Sequence, residues 1–281
     1  MKVTQKIAVA YLRARFGLLS VIAPRRAAKE LFTFFSTPKL RTVKELPASF
    51  QEATVLQSIF EGQQITGYRW NAGASKKCLI IHGYESAAIN FEVFVSMAVA
   101  KGYEVYAFDA PAHGRSEGKL FNARDYHHFL LDIIKKHGPF DAYLAHSIGG
   151  LALSLALNDI QPGEKTKVVL IAPLTESVSS ANQLFHFMRV KNRKVRHHFD
   201  QLIQSISGHS LNWFSIPRIL PNLRTTILWL HDADDTITPF ADVEKVDFNQ
   251  YKNIRLVITK GLGHRAIYRD PEVGRTIATF L

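Results

Sequence analysis

With 281 residues, of which 47% are hydrophobic and 21% charged, the chain can bury one large core, and a disordered or fibrous protein is excluded. Its net charge of +11 is concentrated at one end, because residues 1–44 contain ten Lys and Arg but one acid. The remainder of the chain is nearly balanced in charge, which argues against a nucleic-acid partner. The single cysteine, Cys78, excludes an intramolecular disulfide and fits a reducing, cytoplasmic compartment.

Residues 1–52 are predicted to form a basic N-terminal helical arm. Two arginines interrupt the apolar stretch 7–22, which argues against both a secretion signal and a membrane span. From Pro24 onward, apolar residues recur at helical spacing opposite a basic cluster, which predicts an amphipathic helix. Such a helix can pack on the body with its charges in water. In a second interpretation it docks on an anionic membrane surface, which would make the cytoplasmic protein membrane-associated.

From residue 53 onward, short apolar runs alternate with helical patterns, which is typical of βαβ units and a mainly parallel sheet. An antiparallel hairpin is predicted over 55–60 and 64–70. Buried strands are predicted at 78–82, 104–109, 142–147, 168–172, 226–231 and 255–259. Helices are predicted at about 90–101, 125–137, 148–159, 240–250 and 271–281. We therefore predict an α/β domain over 53–281, with a mostly parallel central sheet flanked by helices.

Residues 174–224 interrupt this alternation, because they carry no strand pattern between two core strands. Apolar residues at helical spacing over 199–206 predict a helical lid insertion. These residues either pack the lid on the body or line a hydrophobic acyl pocket. A basic run over 189–196 is interpreted as an exposed face or as a contact for an anionic substrate.

Reactive groups in open α/β sheets collect at the carboxyl ends of the strands, and one strand end reads Ala145-His146-Ser147-Ile148-Gly149-Gly150. A serine held on a strained strand-to-helix turn needs small residues two positions before and two after it, and Ala145 and Gly149 qualify. Alanine replaces the first glycine of the usual G-x-S-x-G pattern. Taken alone, the fragment also fits a serine in an ordinary βα loop.

Two other strand ends carry loops that contain glycine, a short one at 82–86 and a Gly/Pro-rich one at 109–118. Acyl transfer needs backbone N–H groups aimed at the developing oxyanion. We expect the backbone N–H groups of Tyr84 and Ile148 to be these donors. Three polar residues are expected to shape these loops: His82, Asp109 and His113. Together with the serine turn, this succession resembles the α/β-hydrolase superfamily, in particular lid-bearing serine esterases and lipases. The resemblance covers residues 53–281.

In this superfamily an acid and a histidine follow the serine in chain order. The loop after strand 226–231 contains three aspartates, and the acid usually precedes the proline of this loop by four positions. Pro239 therefore points to Asp235, with Asp234 as the rival. His264 follows a Gly-x-Gly turn after strand 255–259 and is the best candidate among the twelve histidines.

The resemblance implies a serine hydrolase that cleaves a small-molecule carboxylic ester, with a small to medium hydrophobic acyl group, through an acyl-enzyme. The same triad could instead cleave an amide, a thioester or a carbon–carbon bond. A third interpretation is a non-catalytic or membrane-associated binding module on a hydrolase scaffold. No cofactor is expected, and no metal, because the adjacent pairs His127-His128 and His197-His198 would diverge on a helix. The sequence leaves the oligomeric state open.

Overall fold

The computed structural model describes residues 3–281, which divide into two compact units. The chain up to Thr37 and the segment Glu176–Phe214 form the first, which we call the helical unit. Pro38–Thr175 and Ser215–Leu281 form the second, which we call the sheet unit. The predicted arm, 1–52, is thus divided between the two units, and most of the predicted insertion lies in the helical unit.

The sheet unit contains one eight-stranded sheet. Its strands are β1 (Thr54–Phe60), β2 (Gln63–Trp70), β3 (Lys76–Ile81), β4 (Tyr103–Phe108), β5 (Ala142–His146), β6 (Lys167–Ile171), β7 (Thr226–Asp232) and β8 (Ile254–Thr259). Their spatial order is β1-β2-β4-β3-β5-β6-β7-β8. Strand β2 runs antiparallel to both β1 and β4, and the strands from β4 to β8 are parallel to one another. The predicted opening hairpin and mainly parallel sheet are therefore confirmed.

The α-helices of the described residues follow in chain order. They are α1 (Val3–Ile22), α2 (Pro24–Ser36), α3 (Ala48–Gln51), α4 (Glu92–Ala100), α5 (Ala123–His137), α6 (Ile148–Ile160), α7 (Ser177–Met188), α8 (Arg193–Ser207), α9 (Phe240–Val243), α10 (Gly263–Ala266) and α11 (Pro271–Phe280). No helix within 3–281 combines the length and hydropathy needed to cross a membrane.

Helices cover both faces of the sheet. Helices α4 and α11 share a hydrophobic cluster with side chains of one face, including Ile80 of β3 and Val105 of β4. Ile81 points to the opposite face, because side chains alternate along a strand. The N-terminal turn of α6 lies on that side, close to Ile81, and α6 packs on α5. A sheet buried on both faces explains why its strands are continuous apolar runs.

The predicted helix over 240–250 is wrong as a single element. Helix α9 ends at Val243, and only a short 3₁₀ turn, Phe248–Gln250, follows. Asp247 takes a non-helical conformation, and its side chain accepts a hydrogen bond from the backbone N–H of Asn249. An aspartate that bonds its own backbone in this way competes with helix propagation.

The helical unit has its own hydrophobic core, built from both parts of the chain. Phe16 of α1 and Leu31 of α2 share one buried cluster with Phe185 of α7 and Phe199 of α8. Helix α1 continues without a break through the two arginines at which the apolar pattern is interrupted. The N-terminal helices and the insertion are therefore one packed assembly, a long-range association that no local sequence pattern signalled.

Candidate active site

Ser147 lies at the sharp turn between β5 and α6. Its backbone angles are φ 58° and ψ −129°, in a region that residues with a side chain rarely occupy. The turn is held from both sides, because Ser147 N–H donates to Ile171 O at 3.1 Å and Ser147 O accepts from Leu174 N–H at 2.9 Å. The strained conformation is thus fixed by the neighbouring strand end and its loop.

The turn also requires small residues around it. A Cβ added to Gly149 would lie 2.5 Å from the backbone oxygen of His82, and one added to Gly83 would lie 2.8 Å from Ser147 Cβ. Ala145, at the first small position, is completely buried. The loop after β3 therefore passes in direct contact with Ser147, which only glycine at 83 and 149 allows.

His264 connects Ser147 to Asp235. Its Nε2 lies 3.0 Å from Ser147 Oγ, and its Nδ1 lies 2.8 Å from Asp235 Oδ2. The imidazole comes from α10 after β8, whereas the carboxylate comes from the loop after β7. The three predicted side chains therefore form one hydrogen-bonded line at the carboxyl edge of the sheet.

The carboxylate of Asp235 is saturated with hydrogen bonds. Oδ1 accepts from the backbone N–H groups of Ile237 at 2.8 Å and Thr238 at 3.0 Å, and Oδ2 accepts from the Thr238 hydroxyl at 2.8 Å. Burial by itself would raise the pKa of Asp235. The hydrogen bond and charge of His264, together with the bonds from Thr238, outweigh burial and hold that pKa below its ordinary value. Asp235 is therefore ionised at neutral pH.

The other two aspartates of this loop bind the segment that precedes His264 instead. Asp232 accepts from the Thr259 hydroxyl at 2.7 Å and from Leu262 N–H at 3.1 Å, and Asp234 accepts from Gly261 N–H at 3.0 Å. These three bonds fix the turn that precedes the histidine. The structure thus places Asp235, and not Asp234, against the imidazole.

The two predicted oxyanion donors belong to residues next to the serine turn, one along the chain and one on the loop after β3. Ile148 is the first residue of α6, where a backbone N–H has no acceptor within its own helix. Tyr84 follows Gly83, whose backbone is in contact with the serine. The positive end of the α6 dipole adds to the attraction that this position exerts on an anion.

Two buried histidines shape the loop that carries Tyr84. His82 Nε2 accepts from Ala110 N–H at 2.9 Å, so its Nδ1–H donates to Gly83 O at 2.7 Å. His113 Nε2 accepts in the same way from Glu85 N–H at 3.0 Å. Burial lowers the pKa of His82 to about 4 and, together with the nearby His82, that of His113 to about 3. Both are neutral supports of the backbone, in keeping with the role expected from the sequence.

Asp109, the third residue expected to shape these loops, joins two of their segments. Its carboxylate accepts from Ala88 N–H at 2.9 Å and from Arg115 N–H at 2.9 Å. Gly114 lies so close to this carboxylate that a Cβ there would fall 2.2 Å from Asp109 Cγ. The loop after β4 is therefore wrapped around a buried carboxylate.

Two residues of the site were missed by sequence reasoning. Thr238 holds the acid, as described above. His146 is buried next to the serine, and its Nε2–H donates to the backbone oxygen of His264 at 3.0 Å. Burial and the neighbouring His264 lower the pKa of His146 to about 3. In the sequence these two residues are marked only by their neighbours, because His146 directly precedes Ser147 and Thr238 directly precedes Pro239.

The chain is similar to known hydrolases. A family model described as serine aminopeptidase, S33 (Hydrolase_4), matches residues 73–212. Human monoglyceride lipase is 27% identical over 166 residues, which are 56% of this chain and 53% of the lipase. The chain thus matches about half the length of that relative.

Solved structures extend the similarity to almost the whole chain. An esterase from Pyrococcus furiosus has a TM-score of 0.65 at 18% identity, with 88% of this chain and 97% of the esterase covered. A bacterial membrane phospholipase A has a TM-score of 0.62 at 14% identity, with 99% of this chain and 97% of the phospholipase covered. At these identities the structures establish a shared fold.

Proposed function

Because the chain belongs to the α/β-hydrolase superfamily, we propose that it is a serine hydrolase that cleaves a carboxylic ester at Ser147. The observation that carries the proposal is the hydrogen-bonded line from Ser147 Oγ through His264 to Asp235, with distances of 3.0 and 2.8 Å. It starts at a serine whose strained backbone places the hydroxyl at the N-terminus of α6.

The chemistry follows from the donors and acceptors. Ionised Asp235 accepts the Nδ1–H of His264, which leaves Nε2 unprotonated and facing the serine hydroxyl. As Ser147 Oγ bonds to the acyl carbon, its proton passes to Nε2, and the carbonyl oxygen becomes an oxyanion for which Tyr84 and Ile148 supply N–H donors. His264 then protonates the departing alcohol, leaving an acyl-enzyme. A water molecule repeats the attack with His264 as base and releases the acid.

The substrate class is proposed from the relatives. A monoglyceride lipase and an esterase are among the similar proteins, which favours a small-molecule ester. A small to medium hydrophobic acyl group remains our expectation from the sequence. A second candidate reaction is cleavage of an amide, because the matching family model is described as a serine aminopeptidase. The helical insertion is our candidate for the lid.

A chain-length series of p-nitrophenyl esters, measured beside an amide and a thioester of the same acyl group, tests this proposal. We expect kcat/KM to be highest for an ester with a short or medium chain. We also expect this activity to disappear in Ser147→Ala. Turnover of the amide above the ester would favour the second candidate. Ester turnover that is equal in the wild type and Ser147→Ala would reject the serine mechanism.

A further inference from the structure

One face of α1 presents a continuous apolar stripe to solvent. The side chains of Ile7, Tyr11, Leu18, Val21 and Ile22 are each at least 62% exposed. Their spacing places all five within one side of the helix. We call this set the α1 stripe.

The opposite side of α1 is already used for packing. Phe16, half a helical turn away from the stripe, is 2% exposed and belongs to the core of the helical unit. On this packed side Asn192 also donates to Ser20 O at 2.5 Å, and Arg15, at the edge of the stripe, pairs with Glu30 of α2 at 2.5 Å. The face around Phe16 therefore fixes the helix in its unit, and packing within that unit does not explain the apolar residues of the α1 stripe.

Single exposed apolar residues are common on protein surfaces, but a contiguous apolar set marks a contact surface. As long as these five residues face water, the protein does not gain the free energy that burying their apolar surface would give. A partner that covers this face would provide that free energy.

The charge of the helical unit indicates which partner fits. This unit contains twelve Lys and Arg against three acids, a net charge of +9, whereas the sheet unit has 23 against 21, a net charge of +2. Nearly all of the excess positive charge thus lies on the unit that carries the α1 stripe. Covering the stripe with a second copy would bring two units of +9 together, which repulsion disfavours. An anionic lipid surface is attracted by the same charge.

A cationic cavity adjoins α1 in the same unit. It measures about 710 Å³, and Arg13, His186, Arg189 and Lys191 contribute to its wall. Arg13 Nε donates to the backbone oxygen of Phe187 at 2.8 Å, and its guanidinium carbon lies 5.2 Å from the centre of the Phe187 ring. The residues that line the cavity include no acid, so it is suited to a phosphate group.

We propose that the helical unit docks the protein on an anionic phospholipid surface. The α1 stripe enters the boundary between headgroups and acyl chains, and the cations around Arg13 contact lipid phosphates. An apolar helix face flanked by Lys and Arg is the arrangement by which peripheral helices bind membranes. The inference goes beyond the proposed hydrolase function, because it uses no residue of the candidate active site.

Co-sedimentation with phospholipid vesicles tests it, using the full-length protein and the triple variant Ile7→Ser, Tyr11→Ser, Leu18→Ser. A matched control, Ile59→Ser, Val93→Ser, Ile258→Ser, removes three apolar side chains of the sheet unit that are 53–69% exposed. On vesicles of phosphatidylglycerol and phosphatidylcholine, we expect the stripe variant to bind on the order of tenfold more weakly than the wild type. The control and Ser147→Ala should bind like the wild type.

The charge contribution is tested separately. Arg189→Glu with Lys191→Glu should weaken binding to the mixed vesicles, and the wild type should bind pure phosphatidylcholine vesicles much less than mixed ones. These surface substitutions keep the test decisive if the stripe variant fails to fold. Equal binding of wild type and either variant to mixed vesicles would overturn the proposal. So would light scattering that shows a dimer dissociated by the stripe substitutions, because a second copy would then cover the stripe.

Discussion

Replacing Asp235 by asparagine should reverse the tautomer of His264. Oδ1 of Asp235 accepts two backbone N–H groups, from Ile237 and Thr238, so the amide oxygen of an asparagine must occupy that position. The amide NH₂ then replaces Oδ2 and faces His264 Nδ1, 2.8 Å away in the wild type. Because NH₂ donates, Nδ1 must accept, and the imidazole proton moves to Nε2.

The consequence for catalysis follows from the second ring nitrogen. Nε2, which lies 3.0 Å from Ser147 Oγ, would carry a proton and could no longer accept the one from the serine. In a serine protease triad the same substitution lowers kcat by about 10⁴-fold without changing the geometry. At about 1.4 kcal/mol for each factor of ten, that corresponds to roughly 5 kcal/mol of transition-state stabilisation.

The matched control is Asp234→Asn. Its carboxylate accepts one backbone N–H, from Gly261 at 3.0 Å, and an asparagine oxygen can accept the same bond. We expect its kcat on a p-nitrophenyl ester to stay within a few-fold of the wild type, with circular dichroism unchanged in both variants. The reasoning is refuted if Asp235→Asn keeps more than about a tenth of the wild-type kcat. An Asp234→Asn variant that loses as much activity as Asp235→Asn would refute it as well.

Three further predictions concern the supports of the site. His146→Phe removes the hydrogen bond to the His264 backbone and should lower kcat about five- to tenfold at unchanged KM. His146→Gln should restore part of this activity, because its amide can donate the same bond. Equal kcat values in the two variants would argue against a positioning role for His146. Gly149→Ala forces a Cβ to within 2.5 Å of a backbone oxygen and should reduce the free energy of unfolding, measured in urea, by about 1–3 kcal/mol or more. In the control Gly274→Ala the new Cβ lies 3.9 Å from its nearest neighbour, so the free energy of unfolding should not fall. Acidification should destabilise the protein, because three histidines have pKa values of about 3 to 4 when folded against the ordinary 6.5. These are His82, His113 and His146. Their stabilising effect is complete above pH 6.5, and as pH falls the unfolded chain binds protons first. Near pH 5 the three together should lower the free energy of unfolding by about 4 kcal/mol per pH unit, and equal urea midpoints at pH 7.5 and pH 5 would contradict this.

The sheet could be predicted from the sequence because its strands are buried on both faces and read as unbroken apolar runs. Strand β5, predicted at 142–147, spans Ala142–His146, and the other strands agree to within two residues. The serine turn was recognisable from its local spacing, because Gly149 stands two residues after Ser147 at a junction between a strand and a helix. The crowding that demands this glycine comes from a distant segment, since a Cβ at 149 would lie 2.5 Å from the backbone oxygen of His82.

The remaining features depend on contacts between distant parts of the chain. His146 binds the backbone of His264, 118 positions away, and nothing in its own neighbourhood indicates that partner. The packing of Phe16 in the arm with Phe199 in the insertion is equally remote in sequence. Such contacts arise only when the sheet and the helical core have assembled, so local periodicity carries no trace of them.

The central claim is that Ser147 is a nucleophile activated by His264, and covalent labelling with a fluorophosphonate tests it most directly. The reagent forms a bond to the oxygen of an activated serine, and digestion followed by mass spectrometry identifies the modified peptide. We predict a single adduct, on Ser147, which forms rapidly in the wild type, much more slowly in Asp235→Asn and not at all in Ser147→Ala. An adduct that persists in Ser147→Ala, or a wild-type protein that stays unlabelled, would contradict the account.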